Sequence, residues 1–168
     1  MRTLLPGVRH VGVIYDPTHT TALAEQCEAA LHTAGMTLNR RAVASGDQVT
    51  AALQSLASHV EILWLLPDPT VVSPETTRTL LQAAREARLP VLAYSEALAR
   101  AGALLAVEGR YDDMGAKAAA MAKQILAGRA APGVGSPEGA LFLNARVADQ
   151  IGVRIPAAAR AEAAKVFE

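Results

Sequence analysis

The sequence predicts an α/β protein, a three-layer α-β-α sandwich around a mainly parallel sheet. Short apolar runs alternate with segments of helical periodicity about every 25–30 residues, which is typical of a sheet wound with crossover helices. The first run, with Val11, Val13 and Ile14, is biased to β-branched residues and lacks polar alternation, as expected for a strand covered by helices on both faces. The 168 residues suit one compact domain with a sizeable core.

The predicted strands are the apolar runs 11–14, 36–44, 62–66, 91–94, 103–107 and 140–143. The first ends at the turn Tyr15-Asp16-Pro17, and the third ends between Pro67 and Pro69, where two prolines prevent further strand pairing. The second contains Arg40 and Arg41 and is therefore predicted at an edge of the sheet, where charged side chains are tolerated.

The predicted helices have apolar residues three and four positions apart and are, in order, 23–34, 49–56, 74–89, a short segment opened by Ser95, 112–126, 145–151 and 157–167. Ser73 followed by Pro74 has the N-cap and first-turn proline of a helix start. Asp112 or Asp113 is expected to cap the long helix that follows the fifth strand. Gly35 is placed to end the first helix.

The region 130–139, with two prolines and three glycines, is the only linker-like stretch of the chain. It follows an α/β region at 1–129. The segment 140–168 contributes a strand and helices that we expect to complete the same domain.

The charge balance excludes some partners. Sixteen basic residues offset sixteen acidic ones, so there is no electrostatic basis for binding nucleic acid or an anionic membrane surface. The single cysteine, Cys27, lies on an apolar helical face and is predicted to be a buried thiol. The first ten residues lack the apolar core of a signal peptide, so the chain as written is expected to be cytoplasmic.

No motif of the sequence predicts a cofactor, a metal or a catalytic residue. No glycine-rich phosphate-binding loop precedes a helix, and no serine lies in a nucleophile elbow. The histidines do not have metal-ligand spacing, and of the four only His19 falls in a predicted loop that could line a site.

Polar and aromatic residues follow four of the predicted strands. The candidate ligand-binding residues are Tyr15, Asp16, Thr18, Thr20, Thr21, Asp68, Thr70, Tyr94, Ser95, Arg110, Tyr111 and Asp112. Each alone is ordinary in a turn or helix cap, but the carboxyl ends of parallel strands meet at one edge, where ligands bind in open α/β sheets. Hydroxyls, helix N-termini and one or two carboxylates suit a small zwitterion or polyol.

A phosphotransfer function is the enzymatic alternative. Asp16, Asp68 and Ser95 follow strands at points comparable to the acidic and hydroxyl residues of phospho-acceptor receiver domains. Such domains also need a lysine after the fifth strand, where this chain has Glu108, and a second acid beside Asp16, where it has Pro17. The sequence therefore disfavours this alternative.

Four ordered segments resemble the substrate-binding proteins of ABC transporters, specifically the tryptophan/tyrosine-binding type. They are LLPGVRHVGVIYDP at 4–17, LWLLPDPTVVS at 63–73, LPVLAYSEALARAGALLAVEGRYDDMGAKAAAMAKQILAGRAAP at 89–132 and LFLNARVADQIGVRIP at 141–156. The resemblance implies the two-lobed type I periplasmic-binding-protein fold, with flavodoxin-like lobes. It covers the second lobe only, because family members are longer, with an export signal and a first lobe ahead of the first segment.

The resemblance implies a non-enzymatic function: binding of a small polar molecule such as an amino acid. It places Tyr15, Asp16, Thr18, Thr20, Thr21, Asp68, Thr70, Tyr94 and Ser95 on the second lobe's side of the ligand cleft. Pro69 stands where family members often have an asparagine. A complete receptor would have an ABC transporter permease as partner and a periplasmic or extracytoplasmic location.

A single lobe leaves the helix 112–126 without the first-lobe surface on which it packs in the family. Its stripe of Met114, Met121 and Ile125 would then be exposed, and such apolar stripes usually have a partner. We therefore expect a two-fold homodimer through this helix. A ligand-free dimerising or regulatory lobe is the second alternative to ligand binding.

Overall fold

The computed structural model describes residues 5–130 and 137–168, through which a seven-stranded sheet runs. Its strands are β1 His10–Tyr15, β2 Thr37–Ala42, β3 Ile62–Trp64, β4 Val91–Ala93, β5 Leu105–Gly109, β6 Gly139–Asn144 and β7 Lys165–Phe167. The helices are α1 Pro17–Thr33, α2 Val49–Ala57, α3 Pro74–Glu86, α4 Glu96–Ala101, α5 Tyr111–Leu126, α6 Ala145–Ile151 and α7 Ala157–Glu162, with a 3-10 turn at Gly46–Gln48. Most of the predicted linker 130–139 lies outside the described residues.

The strand order across the sheet is β2-β1-β3-β4-β5-β6-β7. All neighbouring strands are parallel except β5 and β6, which are antiparallel. The predicted α/β class with a mainly parallel sheet is thus confirmed. Because β1 to β5 are parallel, their carboxyl ends lie along one edge of the sheet, and that edge carries the candidate site.

Two apolar clusters cover the two faces of the sheet and make the three layers. One includes residues of α2, α3 and α4, among them Leu53, Leu80 and Leu98. The other includes residues of α1, α6 and α7, among them Leu31 and the predicted buried thiol Cys27. Burying a leucine side chain contributes about 1.5–3 kcal/mol, so these clusters account for much of the fold's stability.

The edge position predicted for the second strand is confirmed. Among the described strands, β2 pairs only with β1, and Leu38 is its one buried residue. Arg40 forms an ion pair with Glu28 of α1 at 3.4 Å, and Arg41 donates from Nε to the Ser55 hydroxyl of α2 at 3.1 Å. Charged side chains at this edge therefore reach helices on both faces of the sheet.

The first helix begins earlier than its apolar pattern predicts. α1 starts at Pro17, directly after β1, because Asp16 is its N-cap and proline is favoured in the first turn. Residues 18–21, expected in a loop, therefore lie in the first turns of α1. The backbone of Thr20 is non-helical, with φ −129° and ψ 18°, so α1 is kinked within these first turns.

The end of the chain also differs from the prediction. The helix expected over 157–167 stops at Glu162, and Lys165–Phe167 forms β7, parallel to β6. Alanine favours helix, but the last residues Lys-Val-Phe are adequate strand formers, and pairing with the free edge of β6 decides their conformation. Lys165 Nζ also lies 5.1 Å from the Phe167 ring centroid.

Helix α5 makes little contact with the rest of the described structure. None of its sixteen residues is buried, and Met114 and Ile125 are 45% and 52% exposed. Its N-cap is Arg110, which makes no side-chain capping bond, so the caps expected from Asp112 and Asp113 are wrong. Both aspartates lie in the first turn, where a negative charge interacts favourably with the helix dipole.

Within the described ranges, no helix combines the length and the apolar character needed to cross a bilayer.

Candidate functional site

The corner between β1 and α1 is fixed by Asp16. Its Oδ1 accepts hydrogen bonds from the Thr18 backbone N–H at 2.9 Å and from the Thr18 hydroxyl at 2.7 Å. The next two amides of the helix, at His19 and Thr20, donate to the Asp16 carbonyl at 3.0 Å. Pro17 has no N–H, and the next three amides donate to Asp16. The N–H groups at the start of α1, which the sequence suggested as donors to a ligand, are therefore already bonded within the protein.

The loop after β3 is fixed in the same way by Asp68. Its Oδ1 accepts from the backbone N–H groups of Thr70 at 2.9 Å and Val71 at 3.1 Å. Its Oδ2 accepts from the Asp16 backbone N–H at 2.7 Å and from the Thr20 hydroxyl. With only 1% of its surface exposed, Asp68 is a buried structural carboxylate rather than an exposed one.

The two aspartates hold each other's loops. Asp68 accepts from the backbone of Asp16 and the hydroxyl of Thr20, while Oδ2 of Asp16 accepts from the Thr70 hydroxyl at 2.8 Å. We call these five residues, Asp16, Thr18, Thr20, Asp68 and Thr70, the aspartate clamp. Charge-assisted hydrogen bonds of this kind are stronger than neutral ones, so the clamp makes one rigid wall of two loops.

The clamp also changes the acidity of Asp16. Hydrogen bonds from the Thr18 hydroxyl, the Thr18 amide and the Thr70 hydroxyl hold the pKa of this carboxyl below its usual value. Burial acts in the opposite direction and the nearby His19 in the same one. His19 Nε2 lies 4.0 Å from Asp16 Oδ2, and the histidine side chain is half exposed at the rim of the clamp.

A second polar group lies at the ends of β4 and β5. Ser95 is the N-cap of α4 and accepts from the Leu98 amide, while Glu108 accepts from the Glu96 amide at 2.8 Å. The other oxygen of Glu108 accepts from the Tyr111 hydroxyl at 3.3 Å. Glu108 therefore joins the start of α4 to the start of α5.

Sequence reasoning did not include Glu108 or Glu96 among the candidate site residues. Glu96 accepts from Lys165 of β7 at 3.0 Å, and this bond holds its pKa below the usual value. Glu108 could have been found in the sequence as an acidic residue directly after a predicted apolar strand, the same signal that identified Asp16. The partner of Glu96 could not be found, because β7 was not predicted.

Three of the remaining candidate residues make local hydrogen bonds. Arg110 donates to both oxygens of Asp112, with the shorter contact at 2.6 Å, which raises the pKa of Arg110 and lowers that of Asp112. Thr21 donates its hydroxyl back to the Pro17 carbonyl at 2.8 Å. The hydrogen bonds of Arg110, Asp112 and Thr21 are therefore local contacts within a turn or a helix.

Two tyrosines flank the strand ends on opposite faces of the sheet. Tyr15 packs against the cluster under α1, and Tyr94 packs against the cluster under α2 and α3. Burial raises the pKa of Tyr94, so its hydroxyl stays protonated and can donate or accept. Tyr111, at the start of α5, is 75% exposed.

The arrangement at the strand ends is chemically passive. The carboxylates of Asp16, Asp68 and Glu108 all accept hydrogen bonds from protein donors. Among the residues that the structure describes, no cluster of histidine, cysteine and acidic side chains is suited to hold a metal ion. Hydroxyl groups, phenol rings and the imidazole of His19 are the groups left to contact a ligand.

The fold and this edge define a class of protein: an α/β lobe whose rigid polar rim lies at the carboxyl ends of parallel strands. A family model described as ABC transporter substrate binding protein matches residues 1–167. The chain therefore belongs to the ABC transporter substrate-binding protein family, and the resemblance found in the sequence is confirmed. Proteins of this family bind substrates for transport and are not enzymes.

Two solved structures show the same fold. A conserved domain protein from Vibrio cholerae is 26% identical, with a TM-score of 0.77 over 98% of this chain and 57% of its own. An ABC domain from Streptococcus pneumonia, solved in complex with L-Trp, is 24% identical, with a TM-score of 0.75 over 99% of this chain and 57% of its own.

A curated protein is also similar in sequence. A tyrosine-binding protein from Clostridioides difficile is 26% identical over 133 residues, which make up 77% of this chain and 37% of that protein. The chain thus spans little more than a third of this relative and 57% of each of the two solved chains.

Proposed function

We propose that this chain supplies one wall of a non-enzymatic cleft that binds a small polar molecule, an amino acid in the first instance. The observation that carries the proposal is the aspartate clamp. Its two carboxylates accept seven charge-assisted hydrogen bonds from residues of both loops and so fix two neighbouring strand ends at one edge of the sheet. A wall fixed before binding loses less conformational entropy when a ligand arrives.

The ligand-facing groups we assign are the Thr18 and Thr70 hydroxyls, His19 and the rings of Tyr15 and Tyr94. The Thr18 and Thr70 hydroxyls donate their protons to Asp16, so their oxygens can accept from the ammonium group of an amino acid. The imidazole of His19 can donate to the carboxylate, and a phenol face attracts the ammonium group. Asp68 would position these residues rather than contact the ligand, because its carboxylate already accepts hydrogen bonds from the protein.

Aromatic amino acids are the favoured ligands within this class. One relative is named a tyrosine-binding protein, and one structural neighbour was solved with L-Trp. The phenol rings of Tyr15 and Tyr94 could contact an aromatic side chain, as aromatic pairs do in protein interiors. Pro69 distinguishes this chain from family members that have an asparagine at that point, because a proline offers neither an N–H nor a polar side chain.

One wall buries only part of a ligand, whereas pocket ligands usually have about 70–90% of their surface buried. The opposite wall must come from another lobe, either in a longer protein that contains this chain or in a second copy of it. In the first case the complete receptor would deliver its ligand to an ABC transporter permease at the outer face of the membrane. The candidate domain of 1–129 and 140–168 would then act as one lobe.

The exposed helix α5 favours a second candidate, a homodimer. Apolar side chains at 111, 114, 121 and 125 recur three, four and seven positions apart and so lie on one face. Leu126, at the end of the same helix, is 86% exposed. Pairing of two copies of α5, with or without exchange of the helix, would cover this face and could do so without any ligand.

The phosphotransfer alternative has no comparable support. An acceptor aspartate must present a free carboxylate oxygen, and both oxygens of Asp68 accept hydrogen bonds from the protein.

Ligand binding by the isolated chain is tested by NMR titration of the labelled protein with L-tryptophan and L-tyrosine, with D-glucose as the comparison. We expect a dissociation constant of about 1 mM, equivalent to about −4 kcal/mol, since one wall gives few contacts. The shifted amide signals should be those around Thr18, Thr70 and Tyr94.

The matched variants are Thr18→Val and Thr33→Val. Both remove a threonine hydroxyl from α1, but Thr33 donates to the Ala29 carbonyl at the far end of the helix. Only the first should weaken binding. Equal shifts with glucose, equal effects of the two variants, or no shift with either amino acid would contradict the proposal.

A further inference from the structure

A groove on the flank of the domain lies between α3 and α4, and at one end it includes Val72 and Ser73, which follow Asp68 and Thr70 in the loop before α3. Its volume is about 580 Å³, and residues from 72–85 and 97–102 line it. The α4 wall consists of Ala97, Ala101 and Gly102, whose small side chains leave the groove open. Leu81 and Leu98 form an apolar floor.

The charged residues lining this groove are both arginines, Arg78 and Arg85. They are seven positions apart on α3, so their side chains leave the same face about 10 Å apart along the helix axis. Both are exposed, and within the described part of the chain neither has a carboxylate partner within ion-pair distance.

The acidic residues of α3 do not neutralise these arginines. Glu75 accepts from the Ser73 hydroxyl and Glu86 from Gln82, and neither glutamate lines the groove. The formal net charge of the chain is zero, so a groove with two cations and no anion is a local concentration of positive charge. Beyond the end of α4, a second groove is lined by Arg85, Arg100 and Arg146 but also by Glu168, and Arg100 is paired with Glu96 at 3.3 Å.

We propose that this α3–α4 groove docks an acidic amphipathic helix of another protein. The occupant would carry two carboxylates about two helical turns apart, opposite Arg78 and Arg85, with apolar residues between them on the floor. Charge complementarity argues for this occupant, because an apolar helix would leave both guanidinium groups without partners at a partly dehydrated interface. Helix-in-groove recognition uses such spaced anchors on one face of the bound helix.

The test uses a fluorescent alanine-based helical peptide of about 18 residues, long enough to form a helix in isolation. It carries glutamates seven residues apart with leucines between them on the same face, and its binding is followed by fluorescence anisotropy. The comparison peptide replaces both glutamates with glutamine. We expect binding at least about tenfold tighter for the glutamate peptide, falling steeply with added salt.

The protein variants reverse the charges of the groove. Arg78→Glu with Arg85→Glu should weaken binding of the glutamate peptide and create binding of a peptide with lysines at the same two positions. Arg154→Glu, an exposed arginine outside the groove, is the control and should change nothing. Gain of binding by the double variant also demonstrates that it is folded.

Equal affinity of the glutamate and glutamine peptides, or loss of binding with Arg154→Glu, would overturn the proposal. A change of oligomeric state in the double variant, measured by light scattering, would overturn it as well, because the occupant would then be a second copy. The ligand titration at the strand ends is independent of these outcomes.

Discussion

The backbone N–H of Asp16 donates a 2.7 Å hydrogen bond to Oδ2 of Asp68, which lies 52 positions further along the chain. The Thr70 hydroxyl returns the interaction by donating to Asp16 Oδ2 at 2.8 Å. Two loops that follow different strands are thereby held at one edge of the sheet. The rim of the proposed cleft is thus stabilised by the protein itself, before any ligand binds.

The first prediction concerns the buried partner of this pair. Asp68→Asn replaces an oxygen that accepts hydrogen bonds with an NH₂ group that faces other donors. We expect a loss of about 3 kcal/mol in the free energy of unfolding, the scale of buried hydrogen bonds to a charged group. Urea denaturation measures it. Asp149→Asn, at an exposed site on α6, should have little effect, and similar values for both variants would contradict the clamp.

The second prediction concerns pH. The folded state lowers the pKa of Asp16, so its stabilising effect is complete above the unfolded-state value of about 3.9 and is lost as the pH falls through the folded-state value. Asp16→Asn keeps an N-cap side chain but cannot ionise. The wild type should melt at a higher temperature than this variant near neutral pH, and the difference should shrink in acid.

Thermal melts by circular dichroism across the acidic range provide this measurement. A difference in melting temperature that stays constant down to the lowest pH would show that the ionised carboxylate of Asp16 contributes nothing to stability.

The third prediction tests the proposed homodimer. Met114→Glu with Ile125→Glu places two charges on the apolar face of α5, so the chain should become monomeric in size-exclusion chromatography with light scattering. Lys123→Glu makes the same change in net charge on the opposite face of the helix and should leave a dimer. A wild-type chain that is already monomeric at micromolar concentration would contradict the proposed homodimer.

The fourth prediction concerns packing under β1. A Cβ added at Gly12 would lie 3.1 Å from Cγ2 of Val60 and 3.5 Å from Cδ1 of Leu56. Gly12→Ala should therefore destabilise the protein by about 1–2 kcal/mol through overpacking. Adding Val60→Ala should make the cost of the Gly12 substitution smaller. Gly7→Ala, with no atom within 4 Å of the new Cβ, is the control for the measurement by urea denaturation.

The fold class, the edge position of β2 and the buried Cys27 could all be predicted from the sequence. These features depend on local patterns, namely apolar runs, helical spacing and charges within one strand. The start of α1 was placed too late because its first turns are polar. The N-cap Asp16 and the following proline were the better signal.

By itself, the sequence determined most of the segments that become strands and helices and the polar residues that follow them, because apolar periodicity and helix signals are local. Only the tertiary structure decided that Asp16 and Asp68 bind each other's loops, that residues 165–167 form a strand, and that the rest of the described structure buries no residue of α5. Each of these depends on a partner far away in the chain. A hydrogen bond or a buried surface exists only once folding brings that partner within reach.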